Sequence, residues 1–265
     1  MPQIHPMSVI DPKAEIAKDA IIGPFCVIGP DVTIGSGTIL MSHVNVAGVT
    51  TIGARNKIYA NASIGCDPQD KKYAGEKTRL TIGDDNVIRE NVTIATGTVQ
   101  DEGITSIGSR NLIMANVHVA HDCRLGNDII VSVGTGFAGH CRVDDFAVIG
   151  GMSGFHQFCR IGKRAMVGGG SACVMDVPPF LIANGAPTEP HGLNIVGLRR
   201  AGYDSEALNV LKHVYHIVYR EGLTIAQAIE ALQALSQKET AQAADILAFA
   251  NFLATSERGI IRPKG

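Results

Sequence analysis

Tryptophan is missing from this chain, and aromatic residues of all kinds fill only 5% of its 265 positions. Large rings usually dominate the packing of a core, so this one has to be built from aliphatic side chains. Charged residues reach only 18% and the net charge is −2. Bulk charge therefore gives no reason to expect a nucleic-acid binder, although a local basic patch stays compatible with it. No apolar run approaches the roughly 18 residues of a membrane span. The first eleven residues lack a basic flank followed by an apolar run, so they do not read as a signal peptide; the expectation is a cytoplasmic protein. The six cysteines contain no Cys-x-x-Cys pair of the zinc type. Nothing resembles a P-loop or a Gly-x-Ser-x-Gly elbow.

What the chain has instead is a period of six. An aliphatic residue recurs from Ile4 through Ile10, Ile16, Ile22, Ile28 and Ile34 as far as Ile64, resumes over Ile82, Ile88 and Ile94, and runs again from Ile107 to Cys173. A glycine often follows it, as at Gly23, Gly35 and Gly108, and a small residue often stands four places after it, as at Cys26, Thr38 and Cys123. Six matches neither the helical period nor simple strand alternation. It is the signature of a coil of short strands with a corner in every hexad. Three hexads make one triangular turn, so residues 18 apart stack about 4.8 Å from rung to rung. The aliphatic and the small residue point inward, and glycine is expected to serve the tight corner. Cys123, Cys141 and Cys159 then form a buried column with a packing role. The expected fold is an all-β left-handed parallel β-helix. The hand is taken from the hexapeptide class, because most parallel crossovers are right-handed.

Two polar stretches break the pattern, 66–80 and 96–106, and are expected to protrude as loops. Ile64 and Ile82 keep an interval of 18 across the first; the second shifts the register by one residue. The repeat fades at Pro178-Pro179. The β-helix is accordingly placed over 1–186 and a small C-terminal α-helical domain over 187–265. There Asp204 or Ser205 can cap one helix, Thr224 with Gln227 forms a capping box for a second, and a third covers 241–256. Such a domain would close the last rung, which a solenoid needs covered.

The segment His118-Val119-Ala120-His121-Asp122-Cys123 carries the first hint of chemistry. Val119 and Cys123 take the inward positions, which leaves His121 and Asp122 at an outward corner. A histidine beside a carboxylate is a candidate general base near neutral pH. Stacking places Gly139 one rung from His121 and Gln157 one rung further, with His140 and His156 as neighbours. A base beside a bare backbone N–H is what acyl transfer requires: one activates a hydroxyl, the other holds the developing oxyanion. A metal site is the competing reading, but His118 and His121 are expected to point in different directions.

The strings ASIGCDPQDKKYAGE, NVHVAHDC, AGHCRVDDFAVIGGMSGFHQFCRIG and RGIIR resemble the family of acyl-carrier-protein-dependent UDP-N-acetylglucosamine O-acyltransferases, which catalyse the first step of lipid A synthesis. The resemblance spans essentially the whole chain. It implies a homotrimer with active sites between neighbouring coils, no cofactor and no metal, and two substrates. These are a 3-hydroxyacyl thioester on acyl carrier protein and the 3-hydroxyl of UDP-N-acetylglucosamine. It implies His121 as general base, Asp122 as its orienting partner and Gly139 as the oxyanion donor. Asp70 and Lys72 match residues that contact the sugar nucleotide or the acyl group, and His118, His140, His156 and Gln157 match other cleft positions. Asn194 and Arg200 match residues that hold the uridine nucleotide, where an arginine suits a diphosphate. Gly169 matches the position that measures acyl length, and a glycine there implies a chain of about fourteen carbons, each buried CH₂ contributing roughly 0.8 kcal/mol. Ala95, Val196 and Ala201 depart from the family's pattern of a histidine, an acid and a second arginine. Arg160, Lys163, Arg164, Arg199 and Arg200 are candidates for docking the acidic carrier. Three alternatives remain at this point. They are a sister N-acyltransferase, which normally carries an added N-terminal domain for which hexads beginning at Ile4 leave no room, a zinc lyase and a non-catalytic scaffold.

Overall fold

The computed structural model describes residues 1–263. Paired strands, most of two residues, follow one another at the hexad interval and collect into three sheets of 11, 9 and 8 strands. All pairings between successive rungs are parallel, with Ile4 on Ile22 and Ile22 on Leu40. This is a left-handed parallel β-helix closed by helices at its C-terminal end. The aliphatic column is buried from Ile22 onward, with Ile4 exposed and Ile10 and Ile16 half-buried at the open first turn, and the small positions Cys26, Thr38, Cys123, Cys141 and Cys159 are buried as well. All six cysteines are free thiols. The few rings that enter the core stack on each other, Phe137 on Phe155 at 4.9 Å.

The glycines after the aliphatic residue do a different job from the one expected. Apart from Gly65, with φ of 71°, they do not carry the corner's left-handed backbone. That falls two residues later, mostly on ordinary side chains: Phe25, His43, Asp122, His140 and Phe158 all have φ between 59 and 66°. A Cβ on Gly23 would lie 2.9 Å from the Leu40 carbonyl oxygen of the next rung. Glycine is needed there because backbones of adjacent rungs approach too closely for a side chain.

The two polar breaks lengthen their rungs. Asn86 stacks on Asn56 across 30 residues and Asn111 on Asn86 across 25, against 18 for Ile129 on Asn111. Ile82 therefore pairs with Ile52, and Ile64 with Ile94. The interval of 18 between Ile64 and Ile82 does not mark a stacked pair. The buried amides bridge the uneven rungs: Asn56 Oδ1 accepts from both the N–H and Nδ2 of Asn86, and Asn86 Oδ1 accepts from the Asn111 N–H, all at 2.9 Å.

The last strands of the coil form a hairpin, Leu181–Asn184 antiparallel to Glu189–Leu193. Helices α1 (Ile195–Arg200), α2 (Ser205–Tyr219), α3 (Ile225–Lys238) and α4 (Ala243–Ala254) follow. Asp204 caps α2 through the Ala207 N–H, and Thr224 with Gln227 caps α3 reciprocally. The chain then returns to the coil. Ile261 is buried with the coil core and Ile260 with the helical core, and the buried Asp176 carboxylate accepts from Ser256 Oγ at 2.7 Å and the Arg160 N–H at 2.9 Å. The C-terminal segment thus ties the two cores together.

Candidate active site

One open cleft of about 1280 Å³ runs along the coil face that carries His118, and both polar breaks reach it. The first supplies Asp70 and Lys72, the second Gln100 and Asp101, and the wall supplies His118, His121, Gly139, His140, His156 and Gln157. Its floor is cut down to small residues. Gly136 and Gly154 line it, and a Cβ on either would meet nothing within 4 Å.

His121 lies at the corner that follows strand His118–Val119, with its side chain 12% exposed. Its Nδ1 is 2.9 Å from Asp122 Oδ2. Asp122 was expected to face outward, but its side chain is 1% exposed. The reason is the second polar break, which folds over the corner. The Thr98 N–H donates to Asp122 Oδ1 at 2.9 Å and Thr98 Oγ1 to Oδ2 at 2.6 Å. The Asp122 N–H in turn donates to Thr105 Oγ1 at 2.8 Å. Burial pushes the Asp122 carboxyl up, but the bonds from His121 and Thr98 outweigh it and hold it below the usual carboxylate range. A carboxylate anchored on its far side fixes the ring and leaves Nε2 pointing into the cleft, where the nearest carboxylate oxygen is Asp70 Oδ2 at 3.9 Å.

The stacked Gly139 lies against the imidazole. A Cβ there would come within 2.7 Å of His121 Nε2. Its neighbours in the corner are paired, Ala138 N–H to the Phe155 carbonyl and His140 N–H to that of His121. The Gly139 N–H has no acceptor among the described residues. A ring nitrogen and an unpaired backbone N–H thus lie side by side on the cleft wall.

His140 is held by Asp101 at 3.0 Å from Nδ1, stacks on Phe158 at 4.4 Å and meets the His121 ring edge-on at 5.1 Å. His118 also lines this cleft. Its Nδ1 is 2.7 Å from Thr93 Oγ1, and burial followed by the nearby His121 charge pulls its pKa down. The imidazole His156 uses Nδ1 on the Gln157 carbonyl at 3.1 Å.

His121, Asp122 and His140 each offer a donor atom within 4.8 Å of the others, the spacing of a metal site. Asp122, however, already has both oxygens engaged by Thr98 and one by His121. A cation there would have to displace those bonds.

Three expected site residues lie elsewhere on the chain. Gly169 stands at the corner entering the sheet that holds His118, whereas His121 stands at the corner leaving it. Asn194 is buried, caps α1 through the Gly197 N–H and donates to the Arg164 carbonyl. Arg200 ends α1. None of the three lines the cleft formed by their own chain. Thr98, Thr105 and Asp101 were not anticipated. Their only signal was position, three polar residues inside a break next to the histidine rungs.

Comparison with known proteins agrees with this architecture. A family model described as UDP N-acetylglucosamine O-acyltransferase, domain 2, matches residues 176–261. A curated acyl-[acyl-carrier-protein]–UDP-N-acetylglucosamine O-acyltransferase of Thiobacillus denitrificans is 51% identical over 262 residues, 99% of this chain and 100% of its own. Among solved structures, LpxA from Acinetobacter baumannii superposes with a TM-score of 0.94 at 45% identity, covering 98% of this chain and 99% of its own. The UDP-N-acetylglucosamine acyltransferase of Francisella novicida gives 0.95 at 41% identity, covering 99% and 95%. The chain is an acyltransferase, and with half its residues shared along its whole length it belongs to the UDP-N-acetylglucosamine O-acyltransferase family.

Proposed function

We propose that this chain transfers an R-3-hydroxyacyl group, about fourteen carbons long, from acyl carrier protein to the 3-hydroxyl of UDP-N-acetylglucosamine. The single observation that carries the reading is the His121 ring, fixed at 2.9 Å by Asp122 on one side and bordered by the unpaired Gly139 N–H on the other. His121 Nε2 takes the proton of the sugar hydroxyl as its oxygen attacks the thioester carbonyl, and Asp122 stabilises the imidazolium that forms. The Gly139 N–H binds the tetrahedral oxyanion. Collapse of that intermediate breaks the C–S bond, and the imidazolium returns its proton to the departing carrier thiolate. The thioester is already activated, so the step calls on no metal or cofactor.

Asp70 and Lys72 reach over this point from the first excursion and suit the sugar nucleotide, while His118, His140, His156 and Gln157 line its approach. Asn194, Arg200 and Gly169 do not line the cleft of their own chain, which fits a homotrimer in which a neighbouring coil contributes the nucleotide contacts and the acyl ruler. The basic residues Arg160, Lys163, Arg164 and Arg199 then suit the acidic carrier, and the pathway belongs in the cytoplasm. Replacing His121 by alanine is expected to reduce kcat by about 10³-fold or more while the oligomer and its melting temperature persist. Near-normal turnover in that variant would sink the mechanism.

A further inference from the structure

The excursion at 96–106 is built as a fixed piece of the site. Thr98 is 1% exposed and Thr96 3%. The loop is tethered at its base. The Thr96 N–H donates to the Cys66 carbonyl at 3.0 Å, the Gly97 N–H to that of Arg79 at 3.1 Å, and the Arg79 N–H to that of Gly103 at 2.8 Å. Its two sides close so tightly that a Cβ on Gly97 would run into the Ile104 nitrogen. At its exposed edge the Glu102 carboxylate lies 2.9 Å from Arg124 Nη2. From this frame Thr98 gives Asp122 two donors, and Asp101 takes His140 Nδ1. The lengthened rung thereby anchors the partner of each of two adjoining imidazoles, His121 through Asp122 and His140 directly.

We infer that Thr98 is a positioning residue for acyl transfer: its hydroxyl and N–H hold the Asp122 carboxylate in the one orientation that orients His121. The inference rests on the reading of His121 as base. Its physical content is that a buried carboxylate with two oxygens and a single ring partner has rotational freedom to lose, and the two Thr98 donors remove it. They also leave the carboxylate ionised, so that it can stabilise imidazolium during the reaction. Thr98 touches no substrate. It acts through Asp122 and then through the ring.

The test is steady-state kinetics on the intact enzyme with hydroxyacyl carrier protein and UDP-N-acetylglucosamine, comparing Thr98→Val, Thr98→Ser and the parent. Valine keeps the shape and the N–H but removes the hydroxyl. A hydrogen bond to a charged group of this kind corresponds to about tenfold to hundredfold in rate. The expected result is that loss in kcat for the valine variant, KM for both substrates within about twofold, and recovery to within a few-fold in the serine variant. The far-downfield proton resonance of His121 Nδ1–H should shift or broaden in the valine variant and return with serine. If the valine chain fails to fold, Thr98→Ala, which adds no methyl against the carboxylate, gives the same comparison. Unchanged kcat in the folded variant, an equal loss with serine, or a change confined to KM overturns the inference. Should Thr98→Val be fully active while His121→Ala is dead, only the positioning role fails; should both be active, the base assignment fails with it.

Discussion

Gly139→Ala separates the two duties assigned to that position, because alanine keeps the N–H and adds only a methyl. The backbone of Gly139 is outside the left-handed region, so alanine meets no conformational barrier there. What it meets is the imidazole. The added Cβ would stand 2.7 Å from His121 Nε2 and 3.0 Å from Nδ1. Ordinary contact needs about 3.5–4.0 Å and Cε1 of the ring is closer still to the added carbon, so the ring must retreat by more than about 1 Å. Such a retreat pulls Nδ1 off Asp122, whose own position is fixed by Thr98. A misplacement of about 1 Å in a reacting group costs on the order of a hundredfold in rate. Overpacking of this size also costs about 1–3 kcal/mol of stability, which in a chain of this length lowers the melting temperature by roughly 2–4 °C per kcal/mol. The expected result in a carrier-thiol release assay is therefore a loss of about two orders of magnitude in kcat from a folded oligomer. Activity within threefold of the parent would refute the packing argument, since it would mean that the ring does not need the space the glycine leaves.

Replacing Gly169 by methionine should move the product profile toward shorter acyl chains in mass spectrometry; its Cβ would lie 3.2 Å from the Gly151 carbonyl oxygen, so the backbone has to yield only slightly. An unchanged profile would remove the ruler role. Asp176 gives a test of pH dependence. Burial, only partly offset by Ser256 and Arg160, raises its carboxyl above the usual range. Stability from the neutral form is present below about pH 4 and is lost as pH rises through the raised folded value. Asp176→Asn stays neutral and keeps both partners, so its melting temperature should gain on the parent's as pH rises from 4 to 7. A constant difference across that range would contradict the assignment.

The fold was legible because a hexad repeat has one structural meaning and the side chains that mark it are the ones that pack. The repeat also hid something. The first excursion lengthens its rung from 18 to 30 residues, an addition of whole hexads, so the phase runs through it undisturbed and the interval of 18 between Ile64 and Ile82 conceals the added length. A period cannot report an insertion that is a multiple of itself. The glycine column was visible but its cause was not, because close approach of rungs and left-handed φ favour the same residue. Of the site, the column His121, Gly139 and Gln157 follows from spacing alone. Burial of Asp122 does not, since it depends on where Thr98 lands, and a loop's path is set by tertiary bonds that leave no period in the sequence. The separation of Asn194, Arg200 and Gly169 from the cleft of their own chain is likewise invisible to a one-dimensional pattern.

The most direct test is the identity of the product. Purified enzyme, R-3-hydroxymyristoyl carrier protein and UDP-N-acetylglucosamine should yield a sugar nucleotide whose mass increases by one hydroxyacyl group, and mild alkali should release that group because it is an ester. An unmodified sugar nucleotide, or an acyl group that resists alkali as an amide does, would contradict O-acylation at the His121 corner.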